Sequence, residues 1–314
     1  MLGRYVLGRL ISMVPMLFGA LTLIFFIVHL IPGDPVAQIL GENYTPATYE
    51  AMKHRLGLDE PLLVQYRDYL GKVVSGNFGD SFRTRRSIAE DIGSQFPFTV
   101  QLALGSLLVT ILIGLPAGVV AAMYRNRLPD QLGMLLSLVG VCAPSFWLGV
   151  MLIYFFSLQL NILPSIGAAG PEDPARMLQY LVLPSLTLGA GGAALLARIT
   201  RSAMLEVLGQ DYVRTARAKG LGAGPVLFGH AFRNALIPVT TVLTLELGQL
   251  LAGSAITEIV FSRPGVGHLL IDAVLNRDYP QIQATLVFFV LLVSLATLLA
   301  DVLYSVFDPR IRYD

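Results

Sequence analysis

Long apolar runs alternate with polar stretches along this chain, and six of the runs approach membrane-crossing length. They are Leu10–Ile31, Phe98–Met123, Gly133–Leu158, Tyr180–Ala197, Ala235–Val260 and Ile282–Tyr304. A helix needs about twenty apolar residues to cross hydrocarbon, so the pattern predicts an all-α membrane protein with six transmembrane helices. Prolines fall inside several runs (Pro15, Pro116, Pro144, Pro184, Pro238). Membrane helices tolerate such breaks, which can bend them around a pathway. The first run follows Arg4 and Arg9, as a secretory signal would. It is longer than a signal's apolar region and no small-x-small cleavage site follows it, so it is expected to remain as a helix.

The polar stretches divide the chain into an N-terminal end with the first helix (1–31), a loop module (32–95), a five-helix core (96–304) with a basic loop at 200–234, and a tail (305–314). If six spans alternate, Arg4, Arg9, Arg125, Arg127, the basic residues of Arg198–Arg233, Arg310 and Arg312 share one side. Basic residues in short loops mark the cytoplasm, so both termini are expected there and 32–95 outside. That outer stretch is too long to be a simple connector. Pro32-Gly33-Asp34-Pro35 makes a turn. Thr45 followed by Pro46 starts a helix, and a second helix covers Leu62–Val74. The stretches Asn161–Gln179 and Phe261–Gly267 read as turn-rich loops on the same side.

The basic loop has internal order. Asp211 can cap a helix on which Tyr212, Val213 and Ala216 share a face. Gly220 stands where that helix stops, and Gly222, Gly224 and Pro225 make a turn before a second helical run, Val226–Ala235. Arg214, Arg217, Lys219, His230 and Arg233 keep the segment out of the bilayer, where a central charge costs roughly 2.5–3.5 kcal/mol. The result is a short helix held beside the membrane, with small residues Ala216, Ala218 and Gly220 that let another protein approach. Its charges also serve to fix topology, and spacing alone leaves both readings open.

Composition agrees with a membrane protein. Hydrophobic residues make up 54%, charged residues 14% against about 25% for a soluble domain, and the mean hydropathy is +0.67. A net charge of +1 gives no reason to expect nucleic acid. One cysteine, Cys142, and four scattered histidines offer neither a disulfide nor metal-ligand spacing. No catalytic constellation is found, and no phosphate loop: Gly189-Ala-Gly-Gly192 lies inside an apolar run with no Lys-Ser/Thr after it, and reads as close helix packing. Transport energy must then come from a partner or an ion gradient. Glu246 is the acid deep in a span, and with Gln249, Gly253 and Thr257 it forms a polar or small stripe at helical spacing. An intramembrane acid either lines a pathway or ties helices together, and both remain open. An ion-coupled transporter acting alone would need more such groups and internal repeats, which the chain does not display.

The run Asp211-Tyr212-Val213-Arg214-Thr215-Ala216-Arg217-Ala218-Lys219-Gly220, with His230 and Arg233-Asn-Ala-Leu-Ile-Pro238, resembles the loop of membrane subunits in ABC-type importers. More narrowly it is similar to the peptide/nickel/glutathione-type permeases, in the dipeptide-permease B-subunit branch. Thr215-Ala216-Arg217 stands where the wider class has Glu-Ala-Ala, as is usual in the peptide branch. Leu56–Leu62, Gln65-Tyr66, Gly79 and Ser81, then Phe261–Gly267 and Asp308–Tyr313, extend the resemblance over nearly the entire chain. Thr297-Leu298 replaces the Asn-Leu of many relatives.

The resemblance implies the type I importer permease fold in a bacterial or archaeal plasma membrane. It implies a second permease subunit, two ATP-binding subunits that hold ATP and Mg2+, and an extracytoplasmic binding protein. Asp211–Gly220 would be the coupling helix, and this chain would bind no cofactor. Di- or oligopeptides, glutathione, nickel complexes, opines and sugars are all carried by relatives with these motifs.

Overall fold

A computed structural model describes residues 2–30, 34–41, 44–170, 172–222 and 224–307. The expected turn at Pro32–Gly33 and the motif Asp308–Tyr313 lie outside the described residues. Thirteen α-helices occur within them: α1 (Leu2–Leu30), α2 (Pro35–Leu40), α3 (Pro46–Arg55), α4 (Leu62–Ser75), α5 (Ile88–Val109), α6 (Leu115–Met123), α7 (Leu128–Cys142), α8 (Ser145–Leu152), α9 (Pro174–Leu208), α10 (Asp211–Ala218), α11 (Arg233–Val260), α12 (Val266–Leu275) and α13 (Tyr279–Phe307). Wide π-helical turns at Thr110–Gly114, Ile153–Gln159 and Pro225–Phe232 join α5 to α6, extend α8 and lead into α11. Five helical stretches are long and apolar enough to cross a membrane, and a sixth is a bent pair.

α9 is the axis, touched by α5, α6, α7, α8 and α11. Small residues let it be approached closely. A Cβ added to Gly114 would lie 2.6 Å from the Ala193 carbonyl oxygen. At Gly118 it would meet the Ala197 carbonyl at 2.5 Å, and at Gly189 the Ser106 carbonyl at 2.5 Å. Backbone thus touches backbone along the α5–α6/α9 seam, where packing between helices replaces the hydrophobic drive absent in lipid. The glycine-rich Gly189–Gly192 run does serve close packing.

α9 is longer than the fourth apolar run. Asp173 starts it early by accepting the Arg176 N–H at 3.0 Å, and its 35 residues give about 52 Å. The end beyond Ala197, expected as loop, stays helical because Ala203 and Met204 bury against Val119, Ala122, Leu227 and Ala231.

The third apolar run is not one straight helix. Ala143 is extended (ψ 126°), as a residue before proline tends to be, and Leu128–Cys142 meets Ser145–Gln159 at 107°. The pair still makes a single crossing. Asp130 binds Arg201, Gly140 lies against Ala194, and Gly149 lies against Thr187. Each step moves toward the N-terminal end of α9. Both halves therefore run down α9 in one direction, which preserves six alternating spans.

The loop module is tied to the ends of α1, α12 and α13. Asp34 accepts the Val36 and Ala37 N–H groups (2.8 and 3.3 Å) and the Tyr49 hydroxyl (2.8 Å), joining α2 to α3. Thr45 and Thr48 cap α3 reciprocally, with Pro46 in its first turn. Tyr69 of α4 joins Phe25, Val28, Ala273 and Ile282 in one apolar cluster. Asp278, just before α13, is buried and accepts from Ser81 Oγ (2.5 Å) and the N–H groups of Phe82 (3.2 Å) and Arg83 (3.3 Å).

Candidate functional site

α10 begins where α9 ends. Gln210, not Asp211, accepts the first helical bonds, from the Val213 and Arg214 N–H groups (3.1 and 3.3 Å). Asp211 sits in the first turn and its carboxylate pairs with Arg214 at 2.6 Å, so it does not act as the cap. The buried face is also narrower than its spacing suggests. Val213 (0% exposed) and Ala216 (7%) pack on Val226, Val207 and Leu208, while Tyr212 stays exposed and its hydroxyl accepts from Asn234 Nδ2 at 2.7 Å. Ala216 therefore serves the seat of α10 within its own chain. Asp211, Tyr212, Arg214, Thr215, Ala218, Lys219 and Gly220 face outward. The side chains of Arg217 and His230 lie outside the described residues. Gly220, at φ +84°, takes the left-handed conformation that ends α10, with the Leu221 N–H on the Ala216 carbonyl at 3.3 Å. The turn feeds into the wide helical segment Pro225–Phe232 and so into α11. α10 thus packs against both the end of α9 and the α11 entry, presenting a charged outer face.

The stripe on α11 is divided. Glu246 is buried and leans on α9, where its carboxylate fills the space a side chain at Gly192 would need, beside Thr110 Oγ1. Thr110 lies in the wide turn Thr110–Gly114 and donates to the Gly189 carbonyl at 3.1 Å. An acid, a distorted helical turn and two glycines from three spans therefore meet at one point. Distortions of this kind recur at functional sites. Gln249 and Gly253, one and two turns on, are exposed, and Thr257 is buried with its hydroxyl unpartnered among the described residues.

Beyond Thr257 lies a polar cluster that the pattern of apolar runs does not reveal. Glu258 is fully buried; it accepts from Thr99 Oγ1 (2.8 Å) and from the His268 N–H (2.9 Å), while the Val266 N–H donates to Thr99 Oγ1 at 2.9 Å. Arg263, also fully buried, donates through Nη2 to Gln101 Oε1 at 3.0 Å and lies 5.8 Å over the Phe98 ring. Its carbonyl contacts His268 Nδ1 at 3.0 Å. Burial lowers the Arg263 guanidinium below its usual range, and the nearby Glu258 opposes this. Gly265 and Gly267 leave room for the Glu258 carboxylate. The cluster fastens the start of α12 onto α5 and the far end of α11. The acid at the edge of the apolar run and glycines two apart after it were the available signal.

At the other end, Asp130 and Arg201 form a bidentate pair (2.5 and 2.7 Å), with the Asn126 N–H on Asp130 at 2.8 Å. This clasp joins the start of α7 to α9 some ten residues before α10.

Residues 114–313 match the family of the binding-protein-dependent transport system inner membrane component, and residues 1–103 match its N-terminal region. Over 310 residues the chain is 44% identical to the glutathione transport system permease protein GsiC of Escherichia coli (strain K12), covering 99% of each. It is 45% identical to GsiC of Salmonella typhimurium over the same length, again covering 99% of each. Among solved structures it resembles the MetNI methionine ABC transporter in inward facing conformations (TM-score 0.57, 21% identity, 69% of this chain and 96% of that one). An amino acid ABC transporter with histidines matches at TM-score 0.51 and 18% identity, over 71% and 95%. These two share the fold.

Proposed function

The chain belongs to the family of binding-protein-dependent transport system inner membrane components, and on that premise we propose how it works as the permease subunit of an ATP-driven importer. It pairs with a second permease subunit, two ATP-binding subunits and an extracytoplasmic binding protein. It has no ATPase site of its own. The observation that carries this reading is α10, a short helix with a charged outer face, seated by Val213 and Ala216 at the end of the long central helix. Such a helix transmits motion, because force on its outer face reaches α9 and α11 together. Asp211, Tyr212, Arg214, Thr215, Ala218 and Lys219 form the surface that docks on the ATPase. Both termini and α10 are cytoplasmic, which the basic bias of the short loops supports.

ATP binding closes the ATPase pair, α10 moves with it, and the spans reorient so that the cavity opens outward. Hydrolysis returns it inward. This requires that ATP favour one arrangement by differential contact at α10. Glu246, Gln249, Gly253 and Thr257 border the path, with the exposed Gln249 and Gly253 facing the second subunit across it. The high identity to glutathione permeases supports short peptides as cargo, glutathione among them. An ion-coupled transporter working alone is not favoured, since the family match spans nearly the whole chain.

Uptake of radiolabelled glutathione by proteoliposomes that contain the full complex tests this. ATP-dependent accumulation that requires the binding protein is expected. Accumulation driven by an ion gradient without ATPase subunits would refute it.

A further inference from the structure

The most anomalous group in the molecule is Arg263. It is fully buried, yet Nε and Nη1 have no hydrogen-bond partner among the described residues. One of its three nitrogens is used, on the neutral amide of Gln101. The adjacent Glu258 supports its charge through space but makes no direct ion pair with it. The oxygens of Glu258 are taken by Thr99 and the His268 N–H, and no ion pair joins it to Arg263. A buried cation without a directly bonded carboxylate is costly, because desolvation is repaid in full only by close pairing. The neighbouring Phe98 ring offers weaker compensation. Two of its three nitrogens, Nε and Nη1, thus keep their donors for a further acceptor.

Its position indicates which acceptor. Arg263 lies in the loop between α11 and α12, at the end of the bundle that carries the loop module. It covers the middle of α5, where Phe98 and Gln101 hold it. The polar cluster that fixes this loop, from Thr99 through Glu258 to His268, is closed here. If the far ends of α5 and α11 part to admit cargo, the guanidinium becomes a permanent cation beside the opening. Planar, paired donors suit a carboxylate in bidentate geometry.

We propose that Arg263 is a specificity residue of the outer mouth, binding a carboxylate of the cargo when the mouth opens and buried when it shuts. This rests on the importer reading and deepens it, since it assigns the chemical class recognised: peptides with a free carboxylate.

The test uses the full complex in proteoliposomes, with glutathione and its diamide, in which both carboxylates are primary amides. Wild-type, Arg263→Gln and Arg263→Lys complexes are compared for initial uptake, each ratio taken to wild type on the same cargo. Arg263→Gln should lower glutathione uptake about tenfold or more, the loss expected for one charge-assisted contact. Its diamide rate should change by less than about twofold. Arg263→Lys should recover part of the loss. A second measurement avoids dependence on folding of the Gln variant and on acceptance of the diamide by the binding protein. Arg263→Cys, in a Cys142→Ser background, is exposed to a membrane-impermeant methanethiosulfonate with and without vanadate-trapped ATP. Labelling only in the trapped state is expected. Equal loss of both cargoes in the Gln variant, or no labelling in a complex that hydrolyses ATP, overturns the proposal. Absence of ATP-dependent uptake by the wild-type complex would instead refute the importer reading itself.

Discussion

Replacing Asp130 by Asn removes one charge from the clasp between α7 and α9. The Asp130 side chain is 4% exposed and that of Arg201 25%, and the carboxylate receives Arg201 Nε at 2.5 Å, Nη2 at 2.7 Å and the Asn126 N–H at 2.8 Å. Asn keeps the shape but turns its amide N–H donors toward the guanidinium on one side and leaves the cation without a counter-ion. Breaking one half of a buried pair costs about 3–5 kcal/mol; the partial exposure of Arg201 places this case near 3 kcal/mol. The third bond also secures Asn126, which holds a left-handed φ of +62° in the turn before α7. The detergent-solubilised complex should melt about 4–5 °C lower, read by fluorescence-detected size exclusion. Swapping both residues, Asp130→Leu with Arg201→Met, should regain most of this, because apolar replacement of a buried pair is often neutral. A melting point for Asp130→Asn within about 1 °C of wild type, or a double variant no better than the single one, would refute the reasoning.

Other sites give independent checks. Gly118→Val drives a side chain into the Ala197 carbonyl at 2.5 Å and should cost about 1–3 kcal/mol, seen as a lower melting point, whereas Gly191→Ala, with nothing within 4 Å, should melt as wild type. Val213→Asp puts an unpaired acid in the seat of α10; the complex should assemble poorly with its ATPase and lose most cargo-stimulated ATP hydrolysis, and normal stimulation would count against the seat. Asp278→Ala frees Ser81, Phe82 and Arg83, so trypsin should cut faster after Arg83, Arg85 or Arg86, measured by mass spectrometry. Glu246→Gln should reduce uptake of cargo that carries an amino group; unchanged uptake of every cargo would remove Glu246 from the path.

Much of this architecture is legible in local pattern. Apolar runs of spanning length, Thr45 before Pro46, and Gly220 after a short amphipathic run each have a nearby physical cause. What the pattern misses depends on distant partners. Glu258 meets Thr99 across 159 positions, and Arg263 meets Gln101 across 162, so neither pairing has a periodic trace. Ala216 reads as an open contact for a partner because spacing cannot tell which of two small-residue faces meets Val226. Pro144 was visible, yet its 107° break was not, since many membrane helices absorb a proline with a mild kink. The fourth helix continues past its apolar run because Ala203 and Met204 bury against neighbouring segments.

The central claim is that α10 is the contact through which an ATPase drives this chain. The most direct measurement is purification of the chain from native membranes in mild detergent, followed by mass spectrometry, for wild type and for Ala218→Trp on the exposed face of α10. The account predicts that an ATP-binding subunit and a second permease accompany the wild-type chain, and that Ala218→Trp keeps the permease partner while losing the ATPase. Recovery of the wild-type chain without any ATPase, from membranes in which other ABC complexes survive, would contradict it.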